Sequence, residues 1–301
     1  MYQDKKILSS PGKIMLTAEY AVIDGAKTLS IPIKGHQKLS LEKCENAVQW
    51  ISLDQDSKKW FTANWDINGN LITTSDQKIA EIIEKIFHFI GWELIKHTKF
   101  ISQINFPTNF GLGTSSSLIA CFAKAFHIDP LKLQWSIFGG SGYDVVTAME
   151  NHATIFQLKS PKQASWEKVI FKPPFRNLLY FTYLNKKRDS RNALADYLNQ
   201  RSVNQVIIQN ISDITEQFIA VSSLEKFQDL LKKHEKLIAD MTGQRTIQSE
   251  FFPDFGGVVK SLGAWGGDLA LIASDWEFSR IKNYFSEKGY PIIIKYNELI
   301  E

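Results

Sequence analysis

The segment Pro107-Thr108-Asn109-Phe110-Gly111-Leu112-Gly113-Thr114-Ser115-Ser116-Ser117 constrains this chain more than any other stretch. It lies between an apolar run, Ile101 to Phe106, and a stripe at helical spacing, Leu118, Ile119, Phe122, Ala125 and Phe126. That order predicts a strand, a loop and a helix opening at Thr114. Glycines let a backbone approach a phosphate closely, and a helix N-terminus offers unpaired N–H groups and a positive dipole end. Hydroxyls in the first turn can cap the helix or ligate a phosphate-bound magnesium. No Gly-Lys-Ser/Thr follows the glycines, which excludes a Walker loop. Taken alone, the segment also fits a plain capped turn.

Two further glycine-rich stretches carry weaker versions of this signal. Lys260-Ser261-Leu262-Gly263-Ala264-Trp265-Gly266-Gly267-Asp268 precedes the apolar run Leu269 to Ala273. Glycines this dense cost folding entropy, which close approach to a ligand or a tight bend offsets. Gly139-Gly140-Ser141-Gly142-Tyr143-Asp144 places a carboxylate after a flexible turn and at the head of a helical run. There it either caps the helix or accepts a proton from a hydroxyl.

Elsewhere, strand and helix patterns mix without the regular spacing of βαβ units. Leu39, Leu41, Val48, Trp50 and Leu53 alternate as in strands. Asn68-Gly69, between Asp66-Ile67 and Leu71-Ile72, predicts a hairpin whose two turn positions tolerate positive φ. Ile79, Ile82, Ile83, Ile86 and Ile90 share a helical face, and Trp50, Trp60 and Trp65 are expected to pack a sheet. Lys172-Pro173-Pro174 cannot continue a helix or a central strand, so it divides the chain into domains 1–172 and 173–301. Beyond it come a strand over Leu178 to Leu184, a helix opening near Ser190 and two long amphipathic helices. The stripes of those two are Ile207, Ile211, Ile214, Phe218 and Leu224, Phe227, Leu231, Leu237, Ile238, Met241. A helix over Trp276 to Phe285 and a strand over Pro291 to Tyr296 close the chain. The fold class is α+β in two domains.

A net charge of +3 from scattered basic residues argues against a nucleic-acid partner. Cys44 and Cys121 are too few and too far apart for a disulfide framework, which points to a reducing compartment. No apolar run approaches the ~18 residues of a membrane span, and Met1 to Lys6 lacks a signal core. The expectation is a cytoplasmic protein with no membrane partner, monomeric or homodimeric. The six histidines are isolated, with no metal-ligand spacing. Lys186, Lys187, Arg188 and Arg191 form the one dense basic cluster, either a solvated loop or the countercharge for a phosphorylated acceptor.

Near the N-terminus, Ser10-Pro11-Gly12-Lys13-Ile14-Met15-Leu16-Thr17-Ala18-Glu19-Tyr20-Ala21-Val22 resembles the first motif of the GHMP kinase superfamily. Gly111 to Ser117 resembles its second motif, and Gly263 to Asp268 its third. Glu19-Tyr20-Ala21-Val22, Gly140 to Val145 and the closing Gly-Gly-Asp are most similar to phosphomevalonate kinases, and the Ser141-Gly142-Tyr143-Asp144 run also resembles a mevalonate kinase-like subgroup. The resemblance implies an N-terminal mixed sheet with helices, a C-terminal ferredoxin-like α/β sandwich, and ATP with Mg2+ as cofactors. It implies Asp144 as catalytic base with Lys13 as its partner, and Ser115 as the magnesium ligand. Gly111, Leu112, Gly113, Thr114, Ser115, Ser116, Gly263, Ala264, Gly266 and Gly267 would bind the nucleotide. Glu19, Tyr20, Ser141, Gly142, Arg188 and Arg191 would face a small-molecule acceptor, mevalonate or phosphomevalonate.

Three positions depart from the pattern. Ala18 replaces a glycine, a small change if the backbone there keeps a negative φ, and Trp265 replaces another in the third motif. Gln134 lies where mevalonate-kinase-like members carry a magnesium-binding glutamate. A diphosphomevalonate decarboxylase-like enzyme and a catalytically impaired metabolite-binding protein are the alternatives on this fold.

Overall fold

A computed structural model of the chain describes residues 5–185, 197–199, 203–263 and 269–300. Contacts divide it into two units that interleave along the sequence. The first comprises Met1–Gly12, Gly35–Thr108 and Leu112–Asn151, and the second Lys13–Lys34, Asn109–Gly111 and His152–Glu301. The partition therefore differs from a single cut at Lys172-Pro174. Its cause is the long strand β2 (Thr28–Lys43), which follows β1 (Lys6–Met15) and whose two halves pair with different partners.

The first unit adds β3 (Val48–Leu53), β4 (Lys59–Trp65), β5 (Leu71–Thr74), α1 (Gln77–Ile90), α2 (Trp92–Ile95) and β6 (Thr98–Ile104). It ends with α3 (Thr114–Phe126), α4 (Pro130–Ile137) and α5 (Tyr143–Glu150). The second half of β2 pairs antiparallel with β6, β6 runs parallel to β3, and β4 and β5 continue antiparallel. This is the expected mixed sheet. Trp50 stacks on Phe100 and Phe122 at centroid distances of 5.7 and 5.9 Å, and Trp65 meets Phe87 edge-on at 5.3 Å. Trp60 is half exposed, contrary to expectation, because the alternation of β4 turns Phe61, Ala63 and Trp65 inward. In the β4–β5 turn the Asp66 carboxylate accepts the N–H groups of Asn68 and Asn70, and only Gly69 takes a positive φ.

In the second unit the first half of β2 pairs with β7 (Thr154–Ser160), and β7 with β8 (Gln163–Lys168). The chain then forms β9 (Leu179–Tyr183), α6 (Gln205–Ala220), α7 (Leu224–Thr242), α8 (Ile247–Phe251), β10 (Val258–Leu262) and β11 (Leu269–Ala273). It closes with α9 (Phe278–Glu287), β12 (Ile293–Lys295) and α10 (Tyr296–Leu299). The antiparallel strand order β10-β11-β9-β12 and the succession strand, helices, two strands, helix, strand are those of a ferredoxin-like sheet. Tyr180, Val259, Ala270 and Ile272 line one face against Phe252, Phe255, Ile281 and Phe285. Side chains alternate along β10, so Lys260 points to the other face, where α7 packs.

Candidate active site

In the first unit the two helices singled out by the sequence, α3 and α5, pack on each other. Helix α3 opens at Thr114, with Gly113 at the N-cap position at φ +87°. A glycine is needed there because that backbone region penalises a Cβ. No side chain caps α3: Ser116 and Ser117 instead donate their hydroxyls to the Gly113 carbonyl, at 3.0 and 2.9 Å. Ser115 is exposed in the first turn, and the Leu112 side chain is buried. The leading N–H groups of α3 are therefore not taken by any capping side chain among the described residues.

Helix α5 opens in the same way. Gly142 holds its N-cap position at φ +92°, and a Cβ there would clash with the Leu131 side chain. Asp144 is thus not the cap but part of the first helical turn, half-buried, with its Oδ1 accepting the Val145 N–H at 3.0 Å. The turn before it is held by α4: Trp135 Nε1 donates to the Ser141 carbonyl at 3.1 Å, and Gln134 Nε2 to the Gly139 carbonyl at 3.2 Å. Gln134, standing where a metal-binding glutamate was expected from the resemblance, is buried and braces this turn.

In the second unit Lys13 is buried on β1, and its Nζ donates to the Gly111 carbonyl at 3.4 Å. The two residues before Gly111 are anchored by Tyr183 of β9. Asn109 Nδ2 donates to the Tyr183 hydroxyl at 3.0 Å, and Phe110 stacks on its ring at 4.3 Å. Tyr183 had no sequence signal beyond its place in an apolar strand.

The turn that follows β1 is enclosed by buried polar groups. Thr17 Oγ1 accepts the Leu29 N–H and the Thr215 hydroxyl, each at 2.8 Å, and its carbonyl accepts the Thr28 hydroxyl at 2.6 Å. The Ala18 N–H donates to His234 Nε2 at 2.8 Å. Glu19 forms an ion pair with Lys260, which also donates to the Ser261 carbonyl at 2.8 Å. Glu235 lies 3.7 Å from the Lys260 ammonium. Because His234 Nε2 accepts an N–H, its proton sits on Nδ1 and the ring is neutral. Burial, and then the Lys260 charge, hold its pKa well below the usual value. Its 3.6 Å approach to Glu19 is therefore not an ion pair. Burial raises the pKa of Glu19 against the opposing Lys260 charge, and pushes Glu235 up to about 8.

Solved structures match this chain along nearly its whole length. Methanococcus jannaschii mevalonate kinase superposes with a TM-score of 0.68 at 17% identity, covering 98% of each chain. Streptococcus pneumoniae phosphomevalonate kinase in complex with phosphomevalonate and AMPPNP gives 0.71 at 16% identity, over 95% of this chain and 97% of that one. Lactococcus lactis galactokinase complexed with galactose gives 0.65 at 13% identity, over 99% and 94%. The chain has the GHMP kinase fold. No protein-family model and no curated protein sequence matches it.

On this GHMP fold the expectation for Ala18 needs correction. Its φ is +67°, the left-handed region, rather than negative, and Tyr20 follows at +60°. A left-handed alanine costs about 1–2 kcal/mol, which glycine avoids. Ala18→Gly should therefore stabilise the protein by about 1 kcal/mol, raising Tm by about 2–4 °C. Calorimetry checks this, and a lowered Tm would contradict it. Of the remaining predicted site residues, Tyr20 packs its ring on Tyr197 at 5.2 Å, and Gly263 follows β10 at φ +68°. Ala264, Trp265, Gly266, Gly267, Lys186, Lys187, Arg188 and Arg191 lie outside the described residues.

Proposed function

We propose that this chain is an ATP-dependent phosphotransferase that phosphorylates a small-molecule alcohol or phosphate, with mevalonate or phosphomevalonate as the acceptor. The observation that carries this is the pair of packed helices α3 and α5. Both begin at positive-φ glycines that offer no capping side chain, and α5 bears Asp144 in its first turn. An uncapped helix N-terminus after a glycine suits the polyphosphate of ATP. A half-buried carboxylate beside a second such terminus suits an acceptor hydroxyl. The fold is that of kinases for mevalonate, phosphomevalonate and galactose.

In this reading the α3 N–H groups and Gly111, Gly113 and Thr114 hold the phosphates, while Asp144 orients and deprotonates the acceptor hydroxyl. For Lys13, in the second unit, the proposed role is to supply positive charge to the transferred phosphoryl group. The Ser115 hydroxyl would be the protein donor to a magnesium ion bound with the nucleotide, which would supply positive charge beside the phosphates. Among the described residues no group of three His, Cys, Asp or Glu is arranged to hold a metal. A single neutral hydroxyl is a modest ligand for this hard cation. Ser115→Ala should consequently raise the magnesium concentration needed for half-maximal turnover several-fold, and overlapping titrations would remove Ser115 from that role. Product mass tests the reaction type. Incubation with ATP should add one phosphoryl group to mevalonate or phosphomevalonate, whereas loss of carbon dioxide would indicate the decarboxylase.

A further inference from the structure

The second unit buries four ionisable side chains together, and the proposed phosphoryl transfer uses none of them as a reacting group. Glu19 and Lys260 are fully buried as an ion pair, His234 is fully buried beside them, and Glu235 completes the group. Filling a core this way is unfavourable, since desolvating two charges can exceed their mutual attraction. Apolar residues of similar volume would stabilise the unit as well or better.

What the group holds explains its place. Glu19 belongs to the turn that begins after β1, on which Lys13 lies. Lys260 belongs to β10, which runs directly into Gly263. His234 and Glu235 come from α7, which packs over β10. The turn itself is strained, with Ala18 and the bulky Tyr20 both at positive φ. Such a conformation persists only where its surroundings over-determine it. Here three consecutive residues, Thr17, Ala18 and Glu19, are each fixed by a buried partner from a different element: Thr215 of α6, His234 of α7 and Lys260 of β10.

We infer that Lys260, Glu19 and His234 are positioning residues of the phosphotransfer site. They tie the strained turn behind Lys13 to strand β10, and so set where the Lys13 ammonium stands against the Gly111 carbonyl. Glu19, on this view, supports the site from inside the second unit instead of touching the acceptor. The inference rests on the phosphotransferase reading above. Small displacements of reacting groups carry large rate penalties, about 10²-fold for 1 Å.

The test separates positioning from stability. Lys260→Met leaves Glu19 as a buried unpaired charge and should lower both Tm and kcat/KM for ATP. Adding Glu19→Gln removes that charge, so Tm should recover towards the parent. In this double variant kcat/KM should stay about 10- to 100-fold down, because the tie is still missing. His234→Leu should lower kcat/KM in the same way, and His234→Gln, whose amide oxygen can accept the Ala18 N–H, should restore most of it. Ile281→Ala, on the opposite face of the same sheet, should lower Tm while changing kcat/KM less than twofold at 20 °C. Recovery of kcat/KM together with Tm in the double variant would make the group merely structural and overturn the inference. If the parent protein forms no ADP with any acceptor, the phosphotransferase reading fails first and the inference with it.

Discussion

Asp144→Asn should lower turnover by about 10²–10⁴-fold while leaving nucleotide affinity and the fold intact. The substitution keeps the shape of a half-buried side chain in the first turn of α5 and removes its ability to take a proton. Its structural cost is small. The carboxylate accepts one N–H, from Val145, and an asparagine oxygen can take the same bond. Loss of a favourable charge at a helix N-terminus costs about 0.3–1 kcal/mol, so Tm should fall by no more than a few degrees. Steady-state kinetics and nucleotide titration on the same preparation check both halves. Near-parental kcat would remove Asp144 from the chemistry. A loss of fold would show that Gly142 and Asp144 serve only to begin the helix.

The second large effect is on stability and its pH dependence. Glu235 has its pKa raised by burial, with Lys260 opposing and Glu19 adding to the rise, from an ordinary 4.5 to about 8. Between those values the unfolded chain has lost this proton while the folded chain keeps it. Stability from this group is thus complete below 4.5 and declines as pH rises towards 8, by about 1.4 kcal/mol per pH unit. His234 acts oppositely. Its lowered pKa means that only the unfolded chain protonates below 6.5, so its contribution rises with pH up to that point. The His234 slope opposes that of Glu235 below 6.5 and vanishes above it, while Glu19, whose pKa burial also raises, acts in the same direction as Glu235. Glu235→Gln, which keeps the neutral shape, should therefore stabilise the protein by about 3 kcal/mol at pH 7. The wild-type Tm should fall between pH 6.5 and 8, and the variant's should fall less. Parallel pH dependences would mean that Glu235 is not held protonated.

Much of this was legible in the sequence, for reasons that differ by element. Helix α3 begins at Thr114 as expected, because the glycine pair interrupts the strand pattern and the apolar stripe restarts at helical spacing. The apolar runs and amphipathic helices of the C-terminal half gave only an α+β class, and the ferredoxin-like strand order came from the resemblance of the motifs. The interleaving of the two units was not legible, since nothing local distinguishes the two halves of one long strand. Nor was the left-handed turn at Ala18, because an alanine carries no sign of positive φ, as a glycine would.

The buried ionic group shows a signal present but unread. His234 falls on the stripe formed by Phe227, Leu231 and Ile238 of α7, and Lys260 interrupts the all-buried strand Val258–Leu262. A polar residue on an apolar face either projects to solvent or has a buried partner. Only the fold shows which partner, because Glu19 lies 241 positions away from Lys260. Tyr183 was invisible for a related reason: its ring fits a strand core, and only its contacts with Asn109 and Phe110 reveal that it anchors the segment leading to Gly111.

ADP release measured with ATP, magnesium and, separately, mevalonate, phosphomevalonate and galactose tests the proposed function most directly. The expected result is acceptor-dependent ADP formation with mevalonate or phosphomevalonate, a product heavier by one phosphoryl group, and loss of that signal in Asp144→Asn. ADP formation that no acceptor stimulates, or acceptor-dependent turnover that Asp144→Asn leaves unchanged, would contradict it.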